Sequence, residues 1–367
     1  MRRWLFAALF AALALPVRAA DCTWPEWQRF RAALVSADGR VIDRSSPRLI
    51  STSEGQAYAL FFALVADDRD GFARLLRWTE NNLAGGDLRR HLPAWLWGRG
   101  DDGAWRVLDD NNASDADLWL AYALLEAGRL WRRADYARLG EDLLWRSAAQ
   151  TVQALPGLGL MLLPGDRGFA GAAGWRLNPS YLPPQLLARF AGLAPIWAEL
   201  ADNAARLLRE GSPHGLAPDW LLWRRDQGWG ADPEHASEGD YDAIRVYLWL
   251  GMLADDAPGG AALQRHFAPM AALVEARGAP PERIDAASGA AAGQGPAGFS
   301  AALLPLLAHL APAAHAAQRE RLAREPLAAD AYYNQALSLF GAGWDAGRYR
   351  FAADGRLLPA WEKPCAP

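Results

Sequence analysis

Apolar residues recur at helical spacing through most of this chain, and Ala and Leu dominate the stretches that carry the pattern. Two kinds of helix are predicted. Ala57–Val65 and Leu118–Leu125 are apolar almost all round, as in a helix buried on every side. Tyr136–Gln150 keeps one apolar face and one polar face. Helices of the buried kind are expected to begin near residues 54, 114, 181, 241, 299 and 331. Helices of the amphipathic kind are expected near 24–37, 69–84, 133–153, 194–210, 259–277 and 312–324. The kinds alternate, so about twelve helices fall into six pairs. An all-α toroid, with inner helices lining a barrel and outer helices around it, accommodates both patterns. The pairs show no sequence similarity to one another, so the repeat is architectural.

Between the helices, residues 85–112, 155–180, 211–240 and 278–298 are rich in Gly, Pro and Trp. They are long for simple connections and read as functional loops. Short strands are expected there and near Tyr349–Leu358. No Ser/Gly linker or charge run divides the chain, so residues 21–367 are expected to form one domain.

Residues 1–20 read differently. Arg2 and Arg3 precede an uncharged run from Trp4 to Val17, and Val17-Arg18-Ala19-Ala20 resembles a small-residue cleavage site. This is the pattern of a secretory signal peptide, too short for a good membrane span. A soluble exported protein is expected, without stable membrane insertion. Only two cysteines occur, Cys22 and Cys365, at opposite ends of the mature chain. In an oxidising compartment they are expected to pair as a staple between termini.

Composition narrows the ligand class. With 38 Lys+Arg against 42 Asp+Glu, the net charge of −4 argues against a nucleic-acid partner. Eighteen tryptophans are far more than an ordinary chain carries, and they suggest flat stacking platforms. The acidic balance favours sugars over bases as the stacked ligand. The six histidines form no i, i+4 pair and no Cys-x-x-Cys exists, so no metal site is expected.

The starts of the inner helices carry the candidate chemistry. Ser53-Glu54-Gly55-Gln56 fits a capping box with Ser53 as N-cap, and Ser114-Asp115-Ala116-Asp117 fits the same frame. Asn178-Pro179-Ser180-Tyr181 reads as an Asn cap with Pro in the first turn. Asp240-Tyr241-Asp242 precedes the apolar run Ala243–Leu250. Glu54, Asp115 and Asp242 thereby fall in first turns, where the helix dipole alone would favour an acid. In a toroid those turns gather at one mouth, and three converging carboxylates make a candidate acid/base centre. Gly55 is a poor helix residue unless something approaches closely. Arg245 lies three residues after Asp242 and would hold it ionised. Glu54 as an acid must stay protonated against the pull of its helix N-terminus, so desolvation or a neighbour such as Asp115 has to win.

Aromatics supply a second constellation. Trp95, Trp97 and Trp105 lie in the loop before Asp115, Trp175 lies before Tyr181, and Tyr332 and Tyr333 begin the last inner helix. Trp95, Trp97 and Trp175 are expected to line a groove. Helical Trp119, Trp131 and Trp145 read as core or outer-layer packing.

These segments resemble glycoside hydrolase family 8. Ala113–Trp131 matches that family's long motif, with Leu120 where Ile or Met is usual. Thr52–Gln56 resembles the segment with the proton donor, and Tyr58-Ala59-Leu60 is a looser match to the Tyr-Gly-Met usual just after that segment. Tyr241–Arg245 resembles the segment with the general base, and Asn178–Tyr181 a cleft segment. Cys22–Pro25, Leu92–Gly98, Pro156–Gly159, Asn178–Pro184, Gly298–Ala301 and Ala331–Asn334 resemble the family's periplasmic cellulase branch, which accompanies bacterial cellulose synthase. Asp240, where relatives often carry a small hydroxyl residue, is a departure.

The resemblance implies an (α/α)6 barrel, no cofactor, and inverting hydrolysis of β-1,4 glycans. It implies Glu54 as general acid, Asp242 as general base and Asp115 as the residue that binds and distorts the central sugar. Tyr181 and Arg245 would orient the base and its water. The implied substrate is cellulose or a cello-oligosaccharide in the periplasm, with possible transient contact with the synthase complex. Two alternatives stand beside it: another β-1,4 glycan such as xylan, chitosan or mixed-linkage glucan, and a catalytically weak glycan-binding component of an export complex. Intact Glu54, Asp115 and Asp242 argue against the second.

Overall fold

A computed structural model describes residues 23–362. The expected leader and the Cys22–Cys365 pair lie outside the described residues. Thirteen α-helices run through them: α1 (Pro25–Leu34), α2 (Ser53–Val65), α3 (Arg69–Leu83), α4 (Ser114–Leu130), α5 (Ala134–Thr151), α6 (Pro184–Ala191), α7 (Pro195–Gly211), α8 (Ile244–Gly251), α9 (Gly260–His266), α10 (Ala268–Arg277), α11 (Ala297–Leu310), α12 (Pro312–Arg324) and α13 (Tyr332–Asp345).

Six of them close a ring, each touching the next in the order α2, α4, α6, α8, α11, α13 and back to α2. Their burial explains the sequence pattern. Every residue of α8 is buried, as is all of α2 except Glu54, and all of α4 up to Gly128. The outer helices α3, α5, α7 and α12 pack on the ring by one face, and α1 lies against α13. This is the (α/α)6 barrel. The expected outer helix at 259–277 is two helices, α9 and α10, with a break at Phe267 where Pro269 enters the next first turn.

The axis of the barrel is filled by aromatic rings. Phe340 lies 4.6–5.4 Å, ring centre to ring centre, from Phe62, Tyr58, Trp119, Trp249 and Phe61. Among the described residues nine tryptophans are buried, so packing accounts for much of the excess that the composition attributes to stacking platforms. Trp119 and Trp131 are buried as expected, whereas Trp145 is half exposed on α5, because its position falls on the solvent face of that helix.

Among the described residues all paired strands are short and antiparallel, and many lie in the long loops. They include 96–99 with 105–109, 152–155 with 159–162, and 349–351 with 357–359. A larger four-stranded sheet joins 170–171, 174–177, 221–224 and 228–231.

At the far side of α4 a buried ion cluster anchors the C-terminal hairpin. Glu126 receives Nε of Arg189 at 2.7 Å, Nη2 of Arg129 at 2.7 Å and the backbone N–H of Leu357 at 2.9 Å. Arg129 also donates to the Leu357 carbonyl, and the Tyr122 hydroxyl donates to that of Gly355 at 2.7 Å.

Candidate active site

The helix starts differ from expectation in how they are capped. Thr52, not Ser53, caps α2: its hydroxyl accepts the Gly55 N–H at 3.0 Å. Gln56 does not reach back to the cap. It crosses instead to Val41, Gly39 and Thr79, tying the loop before α2 to α3. Ala113 stands at the α4 cap without a side-chain bond. Asp117, expected in a capping box, instead accepts from Asn112 Nδ2 at 2.7 Å, and Asn112 Oδ1 accepts the Asp166 N–H at 2.8 Å. Asn178 is a cap as expected, accepting the Ser180 N–H at 3.0 Å, but it caps a 3-10 turn at Pro179–Tyr181, and α6 begins only at Pro184. Asp242 sits in the turn just before α8.

With these starts at one mouth, Arg245 becomes the hub. Its side chain is buried and lies 3.3 Å from Glu54, 2.8 Å from Asp242 and 3.9 Å from Asp115. It also donates to Ser180 Oγ at 3.0 Å and to the Tyr333 hydroxyl at 3.4 Å. The Tyr333 hydroxyl in turn donates to the Tyr241 carbonyl. Asp242 receives a second bond from Asn178 Nδ2 at 3.0 Å. Trp249 Nε1 donates to the Ser180 carbonyl at 2.9 Å, so the 3-10 turn is pinned to α8 from below. Tyr181 presents its ring 5.8 Å from the Arg245 guanidinium carbon.

The enclosure of Glu54 acts in the direction an acid needs. Its carboxyl is held above the ordinary value chiefly by burial, reinforced by Asp242 and opposed by Arg245. Burial first, then Glu54, pushes Asp115 from 3.8 to about 7. One Asp115 oxygen accepts the Ala116 N–H at 2.8 Å; the other is buried and accepts no hydrogen bond among the described residues.

A carboxyl raised on folding contributes stability that is full below its unfolded pKa and lost as pH rises through the folded one. Asp115→Asn is therefore expected to melt later than the parent. The gap should open between pH 4 and 7 and stay constant above. Thermal melts across that range check it, and a gap that is flat with pH would refute the shift.

Gly55 has the close neighbour that its place in a helix implied: a Cβ there would lie 2.7 Å from the Tyr332 hydroxyl. Tyr332 is thus buried against the residue after Glu54. Trp97 is taken up by protein partners, with Trp78 and Trp105 at 5.4 and 5.3 Å and the Arg40 guanidinium 4.3 Å above its ring. Trp95 is half-buried and makes no ring contact among the described residues, while its backbone carbonyl accepts the Ser53 N–H at 3.0 Å. Trp175 sits in a strand facing Trp223, half-buried on the core.

Two residues near the cluster carry no signal in the sequence. Trp220 lies 6.1 Å from the Tyr181 ring and stacks on Phe169 at 5.8 Å. Asp219, beside it, binds the turn that carries Asp242. The pairing of 221–224 with 174–177 brings this stretch to the site, and no local motif marks it.

Comparison with known proteins places these observations. Residues 1–347 match the family model described as Glycosyl hydrolases family 8. The chain is similar to an endoglucanase of Salmonella typhi, 53% identical over 94% of this chain and 93% of that one. It is also similar to an endoglucanase of Xanthomonas axonopodis pv. citri, 52% identical over 98% and 95%. Among solved structures it resembles the endo-1,4-D-glucanase of Vibrio fischeri, with a TM-score of 0.89 and 45% identity over 93% of this chain and all of that one.

Proposed function

The chain belongs to glycosyl hydrolases family 8, and from that premise we propose that it is an endo-β-1,4-glucanase acting on cellulose chains by an inverting acid/base mechanism. The observation that carries the reading is the single buried guanidinium joining Glu54, Asp242 and Asp115. A binding module has no need of three carboxylates converged on one cation. The full-length similarity to endoglucanases supports the substrate class.

The roles follow from the environments. Desolvation shifts the Glu54 carboxyl above its ordinary value, the direction a general acid requires. Arg245 and Asn178 each donate to one oxygen of Asp242, which fixes the orientation of the carboxylate in its role as base. As the C1–O bond breaks, Glu54 gives its proton to the leaving oxygen. A water attacks C1 from the opposite face and passes a proton to Asp242. Inversion needs the two carboxyls roughly 6.5–9.5 Å apart, to leave room for that water. Here they do not bond to each other; a guanidinium stands between them. The free oxygen of Asp115 suits a hydroxyl of the central sugar. Tyr181 would orient the water beside the base. Trp95, Trp175 and Tyr333 would add contacts along the chain, while Trp97 and Tyr332 would shape the wall behind them.

Reducing-sugar release from carboxymethyl cellulose, with xylan and chitosan in parallel, tests the reading. Turnover of cellulose alone is expected, and anomeric NMR should find the α product first. No release from any glycan would overturn it. Trp95→Ala is expected to weaken cellohexaose binding in a Glu54→Gln background with a small change in melting temperature. Trp97→Ala is expected to lower the melting temperature more than it lowers binding. Calorimetric titration and thermal melts separate the two, and reversed outcomes would exchange the roles.

Export is part of the same proposal. Among the described residues no helix is long and apolar enough to cross a membrane. The leader-like residues 1–20 support a periplasmic enzyme working beside the cellulose synthase, in transient contact with it at most. Fractionation of the native producer, with the enzyme followed by immunoblot, should find the protein in the periplasm.

A further inference from the structure

We propose that Asp219 is a positioning residue for Asp242, fixing the turn on which the base stands. The base does not stand on a helix. It occupies the middle of the turn Asp240–Ala243, ahead of α8, where backbone N–H groups have no helical partners. Asp219 supplies them: one oxygen of its carboxyl accepts the Asp240 N–H at 2.8 Å and the Ala243 N–H at 2.7 Å. Those two bonds bracket Tyr241 and Asp242 on both sides.

Asp219 is itself held firmly. It is buried, and its N–H donates to the Glu238 carbonyl at 2.8 Å. Two residues earlier, the Ala217 N–H donates to the Tyr247 hydroxyl of α8 at 2.9 Å. Gly239 lets the two stretches touch, since a Cβ there would lie 2.2 Å from the Ala217 carbonyl oxygen. The next residue, Trp220, meets the Tyr181 ring. One loop segment therefore braces both the base and the tyrosine beside it. Burial first, then the neighbouring Asp240 side chain, raises the Asp219 carboxyl to about 8.

The inference rests on the assignment of Asp242 as base. A shift of about 1 Å in a reacting group costs up to about 100-fold in rate. Asp219→Leu, similar in shape and without acceptors, should lower kcat on carboxymethyl cellulose by about 10- to 100-fold, with KM within about twofold. Asp219→Asn keeps the acceptor oxygen and should recover most of that rate. Asp242→Asn, measured alongside, tests the base itself: activity retained there would overturn the underlying assignment. With Asp242→Asn inactive, three outcomes would overturn the role of Asp219. They are parental kcat in Asp219→Leu, equal loss in Asp219→Asn, or a loss in Asp219→Leu that tracks KM and melting temperature together.

Discussion

Glu54→Gln is expected to fold as the parent does and to lose turnover by about 10²–10⁴-fold, the usual contribution of a general acid. The amide keeps the size of the side chain and can accept from Arg245 at the distance the carboxylate now holds. What it cannot do is deliver a proton. Its loss should be larger for substrates with poor leaving groups than for activated aryl glycosides, whose leaving oxygen needs little protonation. That contrast distinguishes the acid from a residue that only shapes the mouth. Half-parental activity on cellulose would end the assignment. The alkaline limb of kcat in the parent should lie above the range of an ordinary glutamate, since burial raises Glu54. A limb in the ordinary glutamate range would mean another group sets it.

The largest effect on stability is expected far from the mouth, at Glu126. Its side chain is fully buried and takes bonds from Arg129, Arg189 and the Leu357 N–H. Glu126→Ala takes the carboxylate away from two partly buried guanidinium groups and a buried backbone donor. Breaking a buried ion pair by removing one partner costs about 3–5 kcal/mol. The C-terminal hairpin at 349–359 should loosen first, because Arg129 and Tyr122 hold it from the same side. Chemical denaturation gives the magnitude, and hydrogen exchange at Tyr349–Phe351 gives the location. A variant within about 1 kcal/mol of the parent, with the hairpin still protected, would show that the cluster merely replaces apolar packing.

Most of the ring was legible because burial on all sides of α2, α4 and α8 leaves no polar stripe in the sequence, whereas α6 and α13 bury only part of their surface. The convergence of Glu54, Asp115 and Asp242 followed from the same pattern, since alternate helices of a toroid point the same way. Capping was less legible. Thr52 and Ser53 offer equivalent hydroxyls, and which one becomes the cap depends on where Ser51 and Thr52 pair with 96–97. The partners of Arg245 beyond Asp242 were hidden, because Ser180 and Tyr333 are 65 and 88 positions away. Asp219 and Trp220 were hidden for the same reason, being delivered by a strand pairing that no local signal announces. The tryptophan excess misled in part, because the same indole serves a sugar and a core.

The column of rings around Phe340 also decides how a polymer can reach the catalytic mouth. A barrel closed by aromatics along its axis is a cup with a floor, not a tunnel. No glucan can be threaded through it from a free end, and none can exit below. A chain must be laid across the rim from the side, and both cut pieces must lift off the same way. On the proposed assignment, entry then depends on lateral stretches of polymer rather than on its termini.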